Sequence, residues 1–453
     1  MTRAAALLSG MLITLTAIEA SATEERKLAL TDVVRIARTR APEVRDALAR
    51  AEQADAAVDA SYSGYLPNAK ADVAANRTWA HSYEVYGSGV YRSTPQVGIG
   101  TNASGDLAWT AWDFGRTSSA VGAAKADAVA RSADWKATTN ELVRRTAVLF
   151  LTVIYDEDLV RIADATVRLR EKHASLTRAL VDAGLRPPVD EARARVELSL
   201  AKLDRTRAEQ ELAQDRVRLA TVLVRNPSEP MQLVRPRGLP KIGADARRAA
   251  EQALKNRPEV IVATASVDAE TERAGIASAR RLPSFGLALD ATHQTNRPDG
   301  DRRFFPTGSV NANASVNVPI FDWRVWGNVP VARASVAAVE ARASGLRIRV
   351  QGEAAEAAYA LRAAATLLDR ANEARELSNV ALLVVEARYQ AGRDGPLDLF
   401  QAAQKDAEAR TATVRAELAV AVATVELLAA TGRLHELSGV AAARTTPASS
   451  QDR

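Results

Sequence analysis

The chain carries the same set of structure-breaking residues twice, in the same order. Pro42-Glu43-Val44 and Leu66-Pro67 return 216 positions later as Pro258-Glu259-Val260 and Leu282-Pro283. Ala183-Gly184 and Val189-Asp190 return 208 positions later as Ala391-Gly392 and Leu397-Asp398. Chance similarity between alanine-rich helices does not explain this, because Pro, Gly and Asp end or cap structural elements rather than fill them. The 453-residue chain is therefore predicted to fold as two repeats, over 23–225 and 244–432, joined by a linker over 226–243.

The amino terminus has the pattern of a secretory signal peptide. Arg3 precedes an apolar run over 4–17, and Ala20-Ser21-Ala22 supplies the small residues of a cleavage site, so 1–22 is expected to be removed. A short membrane anchor is the alternative, but the run is shorter than a spanning helix requires. The mature chain is thus expected to leave the cytoplasm. Its carboxyl-terminal stretch, 433–453, is expected to be disordered.

Composition argues against several classes of function. The chain contains no Cys, which excludes disulfides, thiolate metal sites and a Cys nucleophile. Its 60 basic and 55 acidic residues are mixed along the helical segments, as on solvated helix surfaces, so no nucleic-acid partner is expected. The four His residues form no metal-binding pair at helical spacing, and neither a Gly-x-Ser-x-Gly motif nor a phosphate-binding loop occurs. Neither an enzyme nor a cofactor is therefore predicted.

Strict alternation of apolar and polar residues predicts β-strands. It is clearest over 309–318, where Val and Ala alternate with Asn and Ser, and weaker over 97–111 and 285–291. In an exported protein such strands fit an outer-membrane barrel, with lipid on one side and water on the other; a soluble sandwich is the alternative. Most of the Trp residues favour the barrel, because they fall near strand ends, where an aromatic belt contacts the lipid interface. These residues are Trp79, Trp109, Trp112, Trp323 and Trp326.

Unusually long helical stretches follow each pair of strands, over 117–181 and 331–390. At about 1.5 Å per residue each would extend about 90 Å, too far for a globular domain. Small and apolar residues recur in them every three or four positions, as in Leu377, Val380 and Val384, which predicts coiled-coil packing. Four strands are too few to close a barrel, so the chain is expected to share one with copies of itself; two copies are the minimum, and three copies give twelve strands.

The order and spacing of these features resemble the TolC-like outer-membrane factor family, from about residue 28 to residue 432. The residues that carry the resemblance are the repeated Pro-Glu and Leu-Pro pairs, Val318-Pro319-Ile320-Phe321-Asp322 and Arg388-Tyr389-Gln390-Ala391-Gly392. The resemblance implies an α+β membrane protein: a homotrimer with a twelve-stranded β-barrel in outer-membrane lipid, continued by a periplasmic α-helical coiled-coil barrel. It also implies two partners, a periplasmic adaptor (membrane fusion protein) and an inner-membrane ABC or proton-driven transporter, which supplies the energy.

The resemblance places a gate at the closed periplasmic tip. Tyr389 and Asp190 match family residues that bond across neighbouring helices, and Asp398 matches an acidic ring at the constriction. The family Arg is Asp394 in this sequence and a second ring Asp is Gln401, so Arg393 and Arg186 are the candidate substitutes. A packed aromatic and a helix N-cap are the alternative roles of Tyr389 and Asp190. The exposed tip turns are expected to contact the adaptor through Gly184, Leu185, Arg186, Gly392 and Arg393.

The sequence thus favours an outer-membrane exit duct of a tripartite export system. A soluble periplasmic coiled-coil adaptor is a competing interpretation, but it would lack paired strands with a lipid-type face. A secreted enzyme is a third interpretation, and the missing site residues argue against it. The cargo is either secreted protein, as in type I secretion, or small molecules, as in drug efflux. The replacement of an acidic ring residue by Gln401 slightly favours acidic polypeptides.

Overall fold

A computed structural model describes residues 27–85, 91–229, 231–298, 302–391 and 393–439. Each half of the chain contains two short helices, two strands, one very long helix and a returning helix, which confirms the predicted duplication. The first half consists of α1 (Leu30–Arg40), α2 (Pro42–Ser61), β1 (Asn68–Val85), β2 (Tyr91–Trp112), α3 (Arg116–Asp182) and α4 (Pro188–Val222). The second consists of α5 (Ala246–Asn256), α6 (Pro258–Ala279), β3 (Ser284–Pro298), β4 (Phe305–Asn317), α7 (Trp323–Gln390) and α8 (Pro396–Ala430).

Proline divides the first helical stretch of each half into two helices. Pro42 and Pro258 are the first residues of α2 and α6, and the residues before them are extended, with ψ of 127° at Ala41 and 125° at Arg257. The proline ring disfavours helical backbone in the preceding residue but fits the first turn, where its missing N–H is not needed. Each break therefore redirects the chain without loss of an internal hydrogen bond.

The start of α7 corrects an expectation from the sequence. The helix was predicted to begin after Pro330, but it begins at Trp323 and includes that proline. The Asp322 carboxylate accepts a hydrogen bond from the Arg324 backbone N–H at 3.0 Å and caps the new amino terminus. A carboxylate at this position satisfies an otherwise unpaired N–H and is stabilised by the helix dipole, so the helix starts at the cap rather than after the proline.

The four strands form one antiparallel sheet in the order β1-β2-β3-β4. Leu107 lies opposite Leu289, and Leu289 lies opposite Ala312, so the apolar residues of successive strands share one face. This confirms the predicted alternation. Large apolar side chains on that face are exposed in the single chain, with 72% of Val310 and 59% of Val316 accessible. Contiguous exposed apolar surface of this kind marks a contact with lipid or with protein.

The long helices form two antiparallel hairpins, α3 with α4 and α7 with α8. With 67 residues in α3 and 68 in α7, each long helix extends about 100 Å. In addition, α3 contacts α8, so the order across the chain is α4, α3, α8, α7. The helices pack through a narrow seam of small residues, in which Ala147, Ala354 and Ala358 are completely buried. None of the described helices combines the length and the apolar character that a membrane-crossing helix needs.

The largest cluster of buried side chains lies where α1 packs against α3, with further residues from α4 and α8. It contains Phe150, which is fully buried together with Leu142 and Val33. A 3₁₀ helix, Leu434–Gly439, adds Leu434 and Leu437 to the same cluster. The prediction that disorder begins at 433 was therefore wrong for this stretch, because two leucines one 3₁₀ turn apart bury against α1. Residues 1–22 and the end of the tail lie outside the described residues.

Part of the predicted coiled-coil seam of α7 is left uncovered within the single chain. Leu377, Val380 and Val384 are 65%, 55% and 51% exposed, whereas Leu361, further from the turn, is buried. A second set, Leu382 and Tyr389, faces α8 instead. The sequence contains two apolar stripes in this part of α7, and only one of them is covered within the chain.

Candidate functional site

The turns that join the helices of each hairpin are built from the same backbone bonds. In the first, the Leu185 N–H donates to the Leu180 carbonyl at 2.9 Å, and Gly184 has a φ of +73°. In the second, the Arg393 N–H donates to the Arg388 carbonyl at 2.9 Å. Glycine suits the first turn because a side chain is strained at positive φ. Leu185 is 70% exposed at its end. Gly392 lies outside the described residues.

The two predicted carboxylates after these turns have different roles. Asp398 is exposed, and its Oδ2 accepts from the Gly395 N–H at 3.1 Å, so it caps the start of α8. Asp190 is at the equivalent position of α4 but is buried, and its Oδ1 lies 3.8 Å from Nη1 of Arg193. Neither carboxylate is itself an N-cap residue, because Pro187 and Gly395 occupy those positions and each Asp lies three residues further on. A buried carboxylate with one long ion pair has free acceptor capacity, which a neighbouring helix could use.

Tyr389 and Arg186, both selected from the sequence, are brought together. Tyr389 is only 7% exposed and packs against Leu382 and Leu399. The Arg186 guanidinium lies over its ring, with 5.8 Å between the guanidinium carbon and the ring centroid. Because Arg186 belongs to the first turn and Tyr389 to the end of α7, this cation–π contact joins the two hairpins at their tips. No hydrogen bond between Tyr389 and Asp190 is formed in the described part of the chain.

The other predicted gate residues do not join this contact. Asp394, at the position of the family Arg, is partly buried and forms an ion pair with Arg388, with 3.3 Å between Oδ1 and Nε. This pair lies within the second turn and was missed in the sequence, although the two residues are only six positions apart. Arg393 and Gln401 are exposed. In the second turn, Arg388 and Asp394 thus pair with each other. Among the predicted gate residues, only Arg186 and its partner Tyr389 make a contact between the two hairpins.

The five predicted belt residues are all exposed, at two levels of the sheet. Trp109 and Trp112 lie at the end of β2 nearest the helices, and Trp323 and Trp326 lie in the first turn of α7. Trp79 lies well along β1 towards its far end. The sequence missed Phe114 and Phe285, whose rings touch at 6.4 Å between centroids beside Trp112. Their signal is weak, because each is a single aromatic next to a strand end.

Metal chemistry has no site in the described part of the chain, where no group of three or more His, Asp or Glu side chains could hold an ion. The most strongly shifted pKa among the described side chains belongs to Asp156, which lies between α3 and α4 and far from the tip. Burial, together with the nearby carboxylates of Asp215 and Glu211, raises the pKa of Asp156 to about 7. The contacts found at the tip are the Arg186–Tyr389 cation–π contact and the Arg388–Asp394 ion pair.

Comparison with known proteins agrees with this geometry. The model of the family described as outer membrane efflux protein matches residues 33–224 and 249–433. Protein CyaE of Bordetella pertussis is 26% identical over 419 residues, covering 90% of this chain and 84% of CyaE. The Campylobacter jejuni CmeC outer membrane channel aligns with a TM-score of 0.78 at 18% identity, covering 89% of this chain and 85% of CmeC.

The outer membrane protein VceC of Vibrio cholerae aligns with a TM-score of 0.76 at 18% identity, over 89% of this chain and 96% of VceC. These similarities to solved structures concern the fold, whereas the family model matches the sequence of both repeats. The chain therefore belongs to the outer membrane efflux protein family and is an exit duct of the bacterial outer membrane whose helices extend into the periplasm.

Proposed function

We propose that three copies of the chain close into one duct, that the Arg186–Tyr389 contact holds its periplasmic tip shut, and that the tip turns dock a periplasmic adaptor. The main support for the proposal is that the outer strands, β1 and β4, and the outer helices, α4 and α7, each have one side that no other part of the described chain covers. The energy for export is supplied by an inner-membrane transporter of the ABC or proton-driven type.

The sheet supplies the first half of this observation. Among the described residues, β1 pairs only with β2 and β4 only with β3, so each outer strand keeps one free edge. Unpaired backbone groups are very unfavourable in lipid, where no water can satisfy them. Pairing β4 of one copy with β1 of the next removes both free edges. Three copies give twelve strands, a size within the range of outer-membrane barrels.

The helices supply the second half. The stripe on α4 that does not face α3 is about half exposed, at 58% for Val196 and 50% for Leu200. On the opposite flank, Leu377 and Val380 of α7 are equally exposed. At about 1.5 Å per residue, both stripes lie within roughly 25 Å of their turns. They therefore meet at the same height when α4 of one copy packs against α7 of the next.

Substitution of this stripe tests the assembly. Leu200→Glu is expected to convert trimers into monomers in detergent, because it places a charge in each of three apolar contacts. Light scattering coupled to gel filtration measures the mass of the particle. Leu176→Glu on α3 is the matched control, since Leu176 is 40% exposed but does not lie on a flank helix. A wild-type protein that is monomeric and forms no channels in lipid bilayers would contradict the duct.

Adaptor docking is supported by the exposure of the first turn, where Leu185 projects an apolar side chain into solvent at the very end of the hairpin. An exposed apolar residue on a short turn suits a shallow protein contact. Leu185→Asp should therefore reduce recovery of the adaptor in a cross-linked pull-down, while the trimer stays intact. Arg393 of the second turn is also exposed and should contribute less, since it can remain hydrated.

For the cargo, we favour secreted polypeptide over small molecules, on the basis of Gln401. An uncharged amide at this exposed position reduces the acidic character of the entrance, so acidic polypeptides are repelled less. Deleting the gene and measuring both the secreted proteins and drug susceptibility separates the two cargoes. Loss of drug resistance with an unchanged set of secreted proteins would overturn the preference and leave efflux as the function.

A further inference from the structure

Two buried side chains of α3 near the tip have nitrogen atoms without partners. Arg170 is 5% exposed and His173 is 4% exposed. Nη2 of Arg170 donates to the Phe400 carbonyl of α8 at 3.4 Å, but its Nη1 has no hydrogen-bond partner, and neither has Nδ1 of His173. Buried polar atoms are nearly always hydrogen-bonded in stable structures, so two unpaired nitrogens at one place make this contact between α3 and α8 less stable than a fully hydrogen-bonded one.

Both side chains lie against the same ring. The Arg170 guanidinium carbon is 5.6 Å from the centroid of Phe400, and the His173 imidazole is 6.3 Å from it at an interplanar angle of 43°. Phe400 is in the first two turns of α8 and is buried. The three residues form an α3–α8 joint, defined here as Arg170, His173 and Phe400, which fastens the second hairpin to the first above their turns.

The charges around the joint come from three helices. Arg170 and Lys172 of α3 are the cations next to His173, and Glu386 of α7 is the nearby acid, 4.0 Å from Lys172. Glu197 of α4 lies 3.6 Å from Arg170. From α8 the joint receives the uncharged ring of Phe400. Burial lowers the pKa of His173, the Arg170 charge lowers it further, and Glu386 opposes them without reversing the result.

A neutral imidazole is therefore favoured while α8 rests on α3. If the helices separate, His173 is hydrated and its pKa returns towards the ordinary value of about 6.5. The separated state then binds the proton more tightly than the joined state, so the joined state loses stability as the pH falls below that value. Above it, His173 is neutral in both states and the joint is unaffected by pH.

We propose that the α3–α8 joint is an acid-sensitive fastening, which releases α8 from α3 when His173 is protonated and so loosens the periplasmic tip. The link from joint to gate rests on the proposed duct, whereas the movement of the two helices does not. The periplasm of a bacterium with a permeable outer membrane follows the external pH, which would make export responsive to acid surroundings.

Distance measurements between two spin labels test the proposal. The chain has no Cys, so the pair Ser175→Cys on α3 and Lys405→Cys on α8 can be labelled without background. Both positions are exposed. Distances are recorded on detergent-solubilised full-length protein at about pH 7.5 and about pH 5, values on either side of an ordinary His pKa. The labelled pair is expected to move apart at the lower pH, and the added change His173→Gln is expected to abolish the movement.

A second variant keeps the test decisive if His173→Gln folds poorly. Glu386→Gln, at a partly exposed position, removes the negative charge that stabilises a protonated His173 in the joined state. Separation should therefore begin at a higher pH than in the wild type. Wild-type distances that do not change with pH, or a movement that persists unchanged in His173→Gln, would overturn the proposal. Channel recordings in lipid bilayers decide the duct separately, because they require trimers and the distance measurement does not.

Discussion

Removal of the Arg186 side chain should open the periplasmic tip. A guanidinium within about 6 Å of a ring centroid contributes about 0.5–1 kcal/mol at an exposed site and up to about 2 kcal/mol when desolvated. Arg186 is partly buried and Tyr389 is 7% exposed, which places their 5.8 Å contact near 1 kcal/mol on that scale. Three such contacts in a trimer that opens cooperatively sum to about 3 kcal/mol, or roughly a 150-fold change in the ratio of closed to open states.

Single-channel recording in planar bilayers measures this ratio. Arg186→Ala should raise the open probability by up to two orders of magnitude, and by only about fivefold if each copy opens independently. Arg393→Ala is the matched control, because Arg393 is exposed in the other turn and is not the cation that lies over the Tyr389 ring. It should leave the open probability unchanged.

Tyr389→Phe decides which bond forms the lock. The phenyl ring keeps the cation–π contact and the packing against Leu382, so the channel should stay closed. If the lock were a hydrogen bond from the tyrosine hydroxyl to the buried carboxylate of Asp190, the phenylalanine would open it. An open Tyr389→Phe channel together with a closed Arg186→Ala channel would refute the cation–π contact as the lock.

Two further predictions concern stability. Phe150→Ala should lower the free energy of unfolding by about 3–5 kcal/mol, measured by urea denaturation, because it leaves a cavity at a fully buried position of the largest buried cluster. Asp156→Asn should stabilise the protein at alkaline pH: the pKa of Asp156 is raised in the folded state, so ionisation destabilises the wild type progressively as the pH rises from about 4 to about 7. Melting temperatures of the two proteins should therefore converge as the pH falls towards 4, and a constant difference would contradict this.

Much of the fold could be predicted because the residues that end helices and strands, and the spacing of apolar residues within them, are local properties of the sequence. The alternation of Val310 to Val316 with Asn311 and Asn313 determines the faces of β4 without any knowledge of its neighbours. The turn at Gly184 is determined in the same way, since positive φ favours glycine there. The prediction failed where two local signals disagree. Pro330 suggested that α7 begins after it, but the cap formed by Asp322 starts the helix earlier.

The site was harder to predict because its contacts join distant parts of the chain. Arg186 and Tyr389 could be selected individually, but their meeting depends on how the hairpins lie side by side. Arg170 and His173 could not be selected at all, since in a helical sequence they look like ordinary polar residues of a solvated face. Nor does periodicity distinguish the stripe of α7 that α8 covers from the one left for another copy.

The matched lengths of the two hairpins restrict how such a duct can change in evolution or by design. The long helices differ by one residue, and α4 and α8 both have 35. Inserting seven residues into each helix of one hairpin would extend its tip about 10 Å beyond the other. Arg186 would then lie two turns away from Tyr389, and the rim that meets the adaptor would become a crown of alternating heights. A longer or shorter tunnel therefore requires compensating insertions or deletions in four helices at once, so the duplicated halves must change length together.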